Sequence, residues 1–195
     1  MSLAGLVASV FTAATALTSP LSNPPASDAP TAAFAAACYG ARTPTVACDR
    51  AAIADINTAR ALEGLGPIVL PANYLRLGIK AKMAAVTNAE RTSRGLPKLR
   101  QTSSDNQLAT LGAAAGRDPI GPAGHGWGSI WAGVADPLAA DFLWMYDDDP
   151  NSPNLDCPKA GAPGCWGHRD NILSPYWSTI GSAASGPSLA QLFVQ

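Results

Sequence analysis

Four cysteines constrain this chain most, because they form two pairs that are close in sequence. Cys38 is near Cys48, and Cys157 is near Cys165. Four cysteines allow three connectivities, of which two local disulfides are the natural one, and no Cys-x-x-Cys spacing indicates metal or redox chemistry. Such bridges persist in an oxidising compartment, so the cysteines predict an exported protein.

The N-terminal segment is also typical of an exported chain. Residues 1–37 contain one Asp and no Lys or Arg, and the apolar stretch LAGLVASVFTAATAL precedes a Pro- and Ala-rich stretch. This order predicts a secretory leader and spacer, with only the terminal amine supplying positive charge. The apolar run is shorter than the roughly 20 residues of a membrane-spanning helix. We therefore expect a secreted, extracellular protein that is not integral to a membrane once the leader is removed.

The length of the chain and the distribution of its charges argue against some classes of function. A chain of 195 residues has room for one ordinary domain beside the leader, but not for a second catalytic domain. Residues 49–100 hold nine Lys or Arg against four Asp or Glu, whereas residues 101–195 hold three against nine. No basic run is interleaved with aromatic residues, which argues against a nucleic-acid partner.

Apolar periodicity predicts four helices, in the segments 48–66, 79–95, 103–119 and 137–148. Ser103 or Ser104 is expected to cap the third helix. Trp144 on the fourth shares its apolar spacing with the neighbouring large side chains, so we expect it in the core. The Gly-rich segment 120–133 predicts a loop, and the tail 178–195 predicts two short strands around a turn.

The order of several short motifs resembles the CAP superfamily of sperm-coating (SCP), cysteine-rich secretory, antigen 5 and pathogenesis-related proteins. The motifs are VTNAERTSRGLPKL, an Ala-rich helix, a Gly-rich loop with His, LAADFLWMYDD, GHRDNIL, PYWSTIG and a final LFV. The likeness covers about residues 79 to 195 and is nearest to secreted actinobacterial, hence bacterial, members. It implies an α+β fold, an α-β-α sandwich with a small antiparallel sheet between helical layers, and an extra N-terminal helical segment.

Composition, the cysteines and the resemblance together divide the chain into three parts. Residues 1–37 are the leader and spacer. Residues 38–78 form an N-terminal disulfide loop and a helix that packs on the main domain, and residues 79–195 form the CAP-like domain.

Fuller members of this family line a cleft with two His and two acidic residues, and some bind a divalent metal there. His168 in GHRDN occupies the position of the second family histidine, and His125 in GHGWG is the candidate for the first. The segment WGSIWAG resembles the family's Gly-Glu-Asn-Ile loop, which puts Gly128 where the first acid belongs. Asp147 lies near the second acidic position.

Two metal sites follow as hypotheses, although no metal is required. His125 and His168 with one Asp would suit zinc, which takes three or four N, S or O ligands. The oxygen-rich segment 147–156 could hold calcium, but it departs from the EF-hand pattern with Ser152 in place of Gly. The alternative is structural: His168 is a partly buried imidazole bonded to backbone and to an acidic partner.

A hydrolase is a further alternative. Ser129 is a conceivable nucleophile near His125 and His168, with Asp170 or Asp147 to orient the base. No Gly-x-Ser-x-Gly turn marks that serine as activated.

The motif GCWGHRDNIL is expected to form a tied corner that is also one wall of a cleft. We expect a non-enzymatic module that requires no cofactor and binds an unknown extracellular ligand, whether lipid, peptide or protein. Sterol and other lipid binding, and protein partners, are what the resemblance implies. A metal- or serine-dependent hydrolase and a cell-wall or surface interaction protein with a vestigial cleft remain alternatives. The expected cleft residues are His125, Ser129, Asp147, His168, Arg169 and Asn171.

Overall fold

The structure is a computed structural model that describes residues 29–147 and 166–195. Its six α-helices are α1 (Ala32–Cys38), α2 (Val46–Leu62), α3 (Ile79–Ser93), α4 (Ser103–Ala115), α5 (Pro137–Met145) and α6 (Gly167–Leu173). Its four strands are β1 (Arg100–Gln101), β2 (Trp127–Ala132), β3 (Thr179–Ser185) and β4 (Ser188–Val194), and a 3-10 turn spans Tyr74–Arg76. The predicted α+β class and all four predicted helices are confirmed.

The four strands form one mixed sheet in the order β1-β3-β4-β2. β4 pairs antiparallel with β3, the other predicted strand of the tail, and also with β2, whereas β1 adds two residues in parallel beside β3. The expected loop at 120–133 is wrong for its second half, which is strand β2. Buried and more accessible residues alternate along β2, which is the period of a strand with one face in the core.

Helical layers cover both faces of the sheet. Ala109 and Ala113 of α4 pack on one face, and the larger apolar cluster that includes α3 and α5 packs on the other. At Gly181 of β3, a Cβ would lie only 2.2 Å from the Asp105 carbonyl oxygen of α4. Glycine is needed there because α4 lies almost directly on the strand. Thr102, rather than either predicted serine, caps α4 by accepting a bond from the Asp105 amide at 3.1 Å.

The predicted Cys38–Cys48 disulfide is present and joins the end of α1 to the first turn of α2. The Cys157–Cys165 pair lies outside the described residues. Helix α1 falls within the stretch assigned to the spacer, yet Phe34 is fully buried and its ring lies 5.1 Å from that of Phe142. The packed part of the chain therefore begins before Cys38.

Helix α5 is buried along its whole length. Trp144 is 3% exposed, and its indole Nε1 donates to the Trp131 carbonyl at 2.9 Å, so the predicted core position is confirmed. Within residues 29–147 and 166–195, none of the helices has both the length and the apolarity that crossing a bilayer requires.

Asp136 is the N-cap of α5, and its carboxyl group is buried. Its Oδ1 accepts bonds from the amides of Leu138 and Ala139, at 2.9 and 3.2 Å. Burial and then the negative charge of Asp49 raise the pKa of Asp136 to about 7, although the two backbone bonds lower it. Ionisation of this carboxyl is thus less favourable in the folded protein than in the unfolded chain.

The raised pKa of Asp136 predicts that the stability of the protein depends on pH. An unfolded Asp titrates near pH 4, so between about pH 4 and about pH 7 the folded state binds more protons than the unfolded state. The contribution of Asp136 to the free energy of unfolding should fall as pH rises through that window. Urea unfolding across it should show a smaller loss for Asp136→Asn, which keeps an oxygen for the cap. Identical slopes for wild type and Asp136→Asn would contradict the assignment.

Candidate functional site

The corner between β2 and α6 is held by Asn171. Its side-chain Nδ2 donates to the Ser129 backbone carbonyl at 3.0 Å, and its backbone carbonyl accepts from the Trp177 indole Nε1 at 2.9 Å. A Cβ at Gly128 would lie 2.2 Å from Asn171 Oδ1 and 3.1 Å from the Trp177 ring. Position 128, where the family pattern has an acid, therefore has no room for a side chain in this chain.

Ser129 and α6 lie on opposite faces of β2. The Cα–Cβ direction at Gly128 points at Asn171, and successive residues of a strand point to opposite faces. Ser129 therefore shares a face with Trp131, which packs in the cluster under α4. The backbone of Ser129 meets α6, but its hydroxyl is directed away from that helix.

The two histidines lie on different elements that meet at this corner. His168 is half-buried in the first turn of α6 and shares a helical face with Asn171, three residues later. His125 is exposed in the turn before β2, where the Gln195 amide donates to the Gly126 carbonyl at 3.1 Å. The imidazole of His168 is therefore partly buried on α6, whereas that of His125 is exposed to solvent in the turn before β2.

Arg169 lies in the interior rather than on a solvent-facing wall. It is 4% exposed, and its Nη1 lies 2.8 Å from both the Met145 carbonyl and Glu63 Oε1. The guanidinium also lies over the rings of Tyr146 and Trp166, at 5.7 and 5.8 Å. Its charge anchors α6 to the end of α5 and to the segment after α2.

Asp147 is buried directly after α5, where its amide donates to the Phe142 carbonyl at 3.3 Å. The rest of the oxygen-rich segment proposed for calcium, 148–156, lies outside the described residues. The neighbouring Asp170 is exposed, and partial burial raises the pKa of its carboxyl while Arg169 lowers it by less.

Sequence reasoning missed a chain of buried ion pairs beneath this corner. Glu90 pairs with Arg60 at 2.5 Å and with Arg94, and Glu63 pairs with Arg94 at 2.6 Å and with Arg169 at 2.8 Å. Burial raises the pKa of Glu63, but the bond and charge of Arg169 and the charge of Arg94 outweigh it, so that pKa lies below its usual value. The Glu90–Arg94 spacing of four residues was the one visible signal.

Two further polar groups of the α5 region border these ion pairs. The Arg94 Nη2 donates to the Tyr146 hydroxyl at 3.2 Å. Asp141 is buried, and within the described parts of the chain neither of its carboxylate oxygens has a hydrogen-bond partner. Burial and then the charge of Glu90 raise the pKa of Asp141 well above its usual value, which favours the neutral acid in the interior.

Arg91 holds the other end of α6. Its side chain is fully buried, and its Nη1 donates to the carbonyls of Ile172 and Ser174 at 2.7 and 2.8 Å. The last carbonyls of a helix have no partner within it, so these bonds complete the C-terminus of α6. Helix α3 therefore fixes α6 directly through Arg91 and indirectly through Glu90 and Arg94.

No group of three or more His, Cys, Asp or Glu side chains is placed to hold a metal ion within residues 29–147 and 166–195. His125 and His168 provide two imidazoles, whereas zinc takes three or four protein ligands in its common sites. A zinc ion at these two residues would need ligands from elsewhere.

No family model and no curated protein matches the chain. The chain is similar to a solved extracellular protein containing an SCP domain from Bacillus anthracis, at 18% identity over 60% of this chain and 40% of that one, with a TM-score of 0.43. It is also similar to a cysteine-rich secretory protein from Staphylococcus aureus, at 15% identity over 58% of this chain and 37% of that one, with a TM-score of 0.41. The chain spans less than half the length of either protein.

The close approach of α6 to β2 generates a prediction. Gly128→Ala should destabilise the protein by about 1 to 3 kcal/mol, because the new methyl group meets Asn171 Oδ1 in an already packed corner. In an Asn171→Ala background the same change should cost less, since the opposing atoms are gone. Urea unfolding of the four proteins measures the coupling. Gly167→Ala, whose methyl would meet nothing within 4 Å, is the matched control, and additive effects at 128 and 171 would refute the contact.

Proposed function

We propose that the protein is an extracellular CAP-like binding module without hydrolytic activity. It takes its ligand, a lipid, peptide or protein, against the α6 side of the corner near His125 and His168. The predicted leader and the Cys38–Cys48 bridge support export.

The orientation of β2 carries this proposal. A serine nucleophile needs a base within hydrogen-bond reach, about 3 Å. The hydroxyl of Ser129 is directed to the α4 face, whereas His168 lies on α6 at the opposite face. The constellation that a serine hydrolase would need is therefore divided by the sheet.

The same corner offers what a binding site needs, a rigid wall with mixed chemistry. A buried bond from Arg91 holds the C-terminal end of α6, and Arg169 near its N-terminal end bonds to the Met145 carbonyl of α5. His168, Asn171 and the half-buried Trp177 share this side, so an imidazole and an amide lie beside an aromatic ring. Binding sites commonly combine apolar surface with a few placed polar groups.

Three probes test the proposal on the full chain. Vesicles of phosphatidylcholine with cholesterol should bind wild type and lose most of that binding in His168→Gln, with flotation as the measurement. Both proteins should unfold within about 1 kcal/mol of each other, since the substitution removes at most one ordinary hydrogen bond. His125→Gln serves as the matched change at the exposed histidine.

The other two probes address the alternatives. A fluorophosphonate that acylates activated serines should leave Ser129 unlabelled, and labelling that Ser129→Ala abolishes would establish the hydrolase instead. Zinc titration by calorimetry tests the metal site. Equal vesicle binding by wild type and His168→Gln, together with severe destabilisation of the variant, would show that His168 is structural.

A further inference from the structure

We propose that a groove between segment 65–71 and α3 binds a short, extended, acidic segment of a partner protein. This surface is separate from the β2–α6 corner and goes beyond the function proposed for it.

The groove consists of two adjoining depressions of about 390 and 330 Å³. Val69, Ala89 and Thr92 line both, so the two are continuous. Helix α3 contributes lining residues from position 85 to position 93, over which it rises about 12 Å. That length accommodates roughly four residues of extended chain.

The wall of the groove is an extended segment with one side chain turned outward. Ile68 and Leu70 pack against the core, whereas Val69 between them is 82% exposed. This alternation is that of a strand with one buried face. An apolar β-branched side chain this exposed is available for contact with an occupant.

Only some of the backbone N–H and C=O groups of this wall have hydrogen-bond partners. The Gly66 carbonyl accepts from Arg60 Nε at 2.9 Å, and the Ile68 amide donates to Asn57 Oδ1 at 2.8 Å, so both are used by α2. In an extended chain the backbone N–H and C=O of one residue point to one edge, and those of the next residue point to the opposite edge. Those of Val69 therefore point away from α2, and they have no hydrogen-bond partner among the residues that the structure describes.

A short extended peptide fits this edge better than a long strand does. Recognition by strand addition uses the backbone N–H and C=O of one exposed residue after another. Here Pro67 and Pro71 flank Val69 and provide no N–H, which limits the edge to a brief pairing. Specificity must then come from side chains and charge.

The charge around the groove selects an acidic occupant. Between Glu63 and Asp105 the one acidic residue is Glu90, which is fully buried in its ion pairs. Lys98 is exposed and lines the groove. An approaching carboxylate therefore meets a cation and no exposed negative side chain from this stretch, while small apolar residues can contact Val69.

The test starts from peptides selected on the full-length protein from a random phage-displayed library, then made synthetically with a fluorescent label. The selected sequences should be rich in Asp and Glu and should bind more weakly as salt rises, because exposed charges are screened. Fluorescence anisotropy should show about tenfold weaker binding to Lys98→Glu. Arg50→Glu, the same charge change at another exposed cation, should leave the affinity within twofold or so.

Two further variants test the groove itself. Thr92→Trp should block binding by filling the shared part of the groove, and Val69→Pro should weaken it by removing the free N–H. Thermal unfolding of each variant confirms that it folds. His168→Gln should bind the peptides as wild type does, which separates this surface from the corner.

Several results would overturn the proposal. These are a failure to select any peptide, selected peptides without acidic residues, or full binding by Thr92→Trp. Binding of phosphatidylglycerol vesicles, or self-association in sedimentation, that Lys98→Glu abolishes while acidic peptides bind unchanged would assign the groove to a membrane or to a second copy instead.

Discussion

The buried ion pairs of Glu63 and Glu90 fix how the helices of this protein sit on one another. Removing charged side chains from water costs several kcal/mol for each ion, and only close, well-bonded partners offset that cost. Here two acids meet three arginines, one from α2, one directly after α3 and one from α6, within a nearly solvent-free interior. Their positions are therefore tightly coupled, since displacing any one helix would leave a charge without its partner.

At the corner, helix α6 is held in place by contacts with its neighbours rather than by the helix propensity of its own residues. A helix of seven residues is not stable alone, because nucleation costs more than so few bonds return. Arg169 holds its first turn, Arg91 donates hydrogen bonds to its last carbonyls, and Asn171 ties it to β2. The position of α6, and with it that of His168, therefore depends on the buried ion pairs of Glu63 and Glu90.

The sequence predicted the elements whose signal is local. The helical period over 79–95 and 137–148 predicted the right helices, and the residues of GCWGHRDNIL themselves predicted a tied corner. Strand β2 was missed because its glycines suggest a loop, whereas Gly128 is there to admit Asn171. The direction of Ser129 and the burial of Glu90 could not be predicted, since both depend on partners far away in sequence, and a charged residue is expected to be solvated.

Glu90→Gln tests most directly whether the buried ion pairs of Glu63 and Glu90 hold α6 in place. The account predicts a loss of about 3 to 5 kcal/mol in the free energy of unfolding, because Arg60 and Arg94 lose a buried counter-charge. It also predicts faster hydrogen exchange throughout α6, measured in the folded protein, while exposed Arg50→Ala changes neither. Stability within about 1 kcal/mol of wild type, with α6 exchanging as before, would contradict the account.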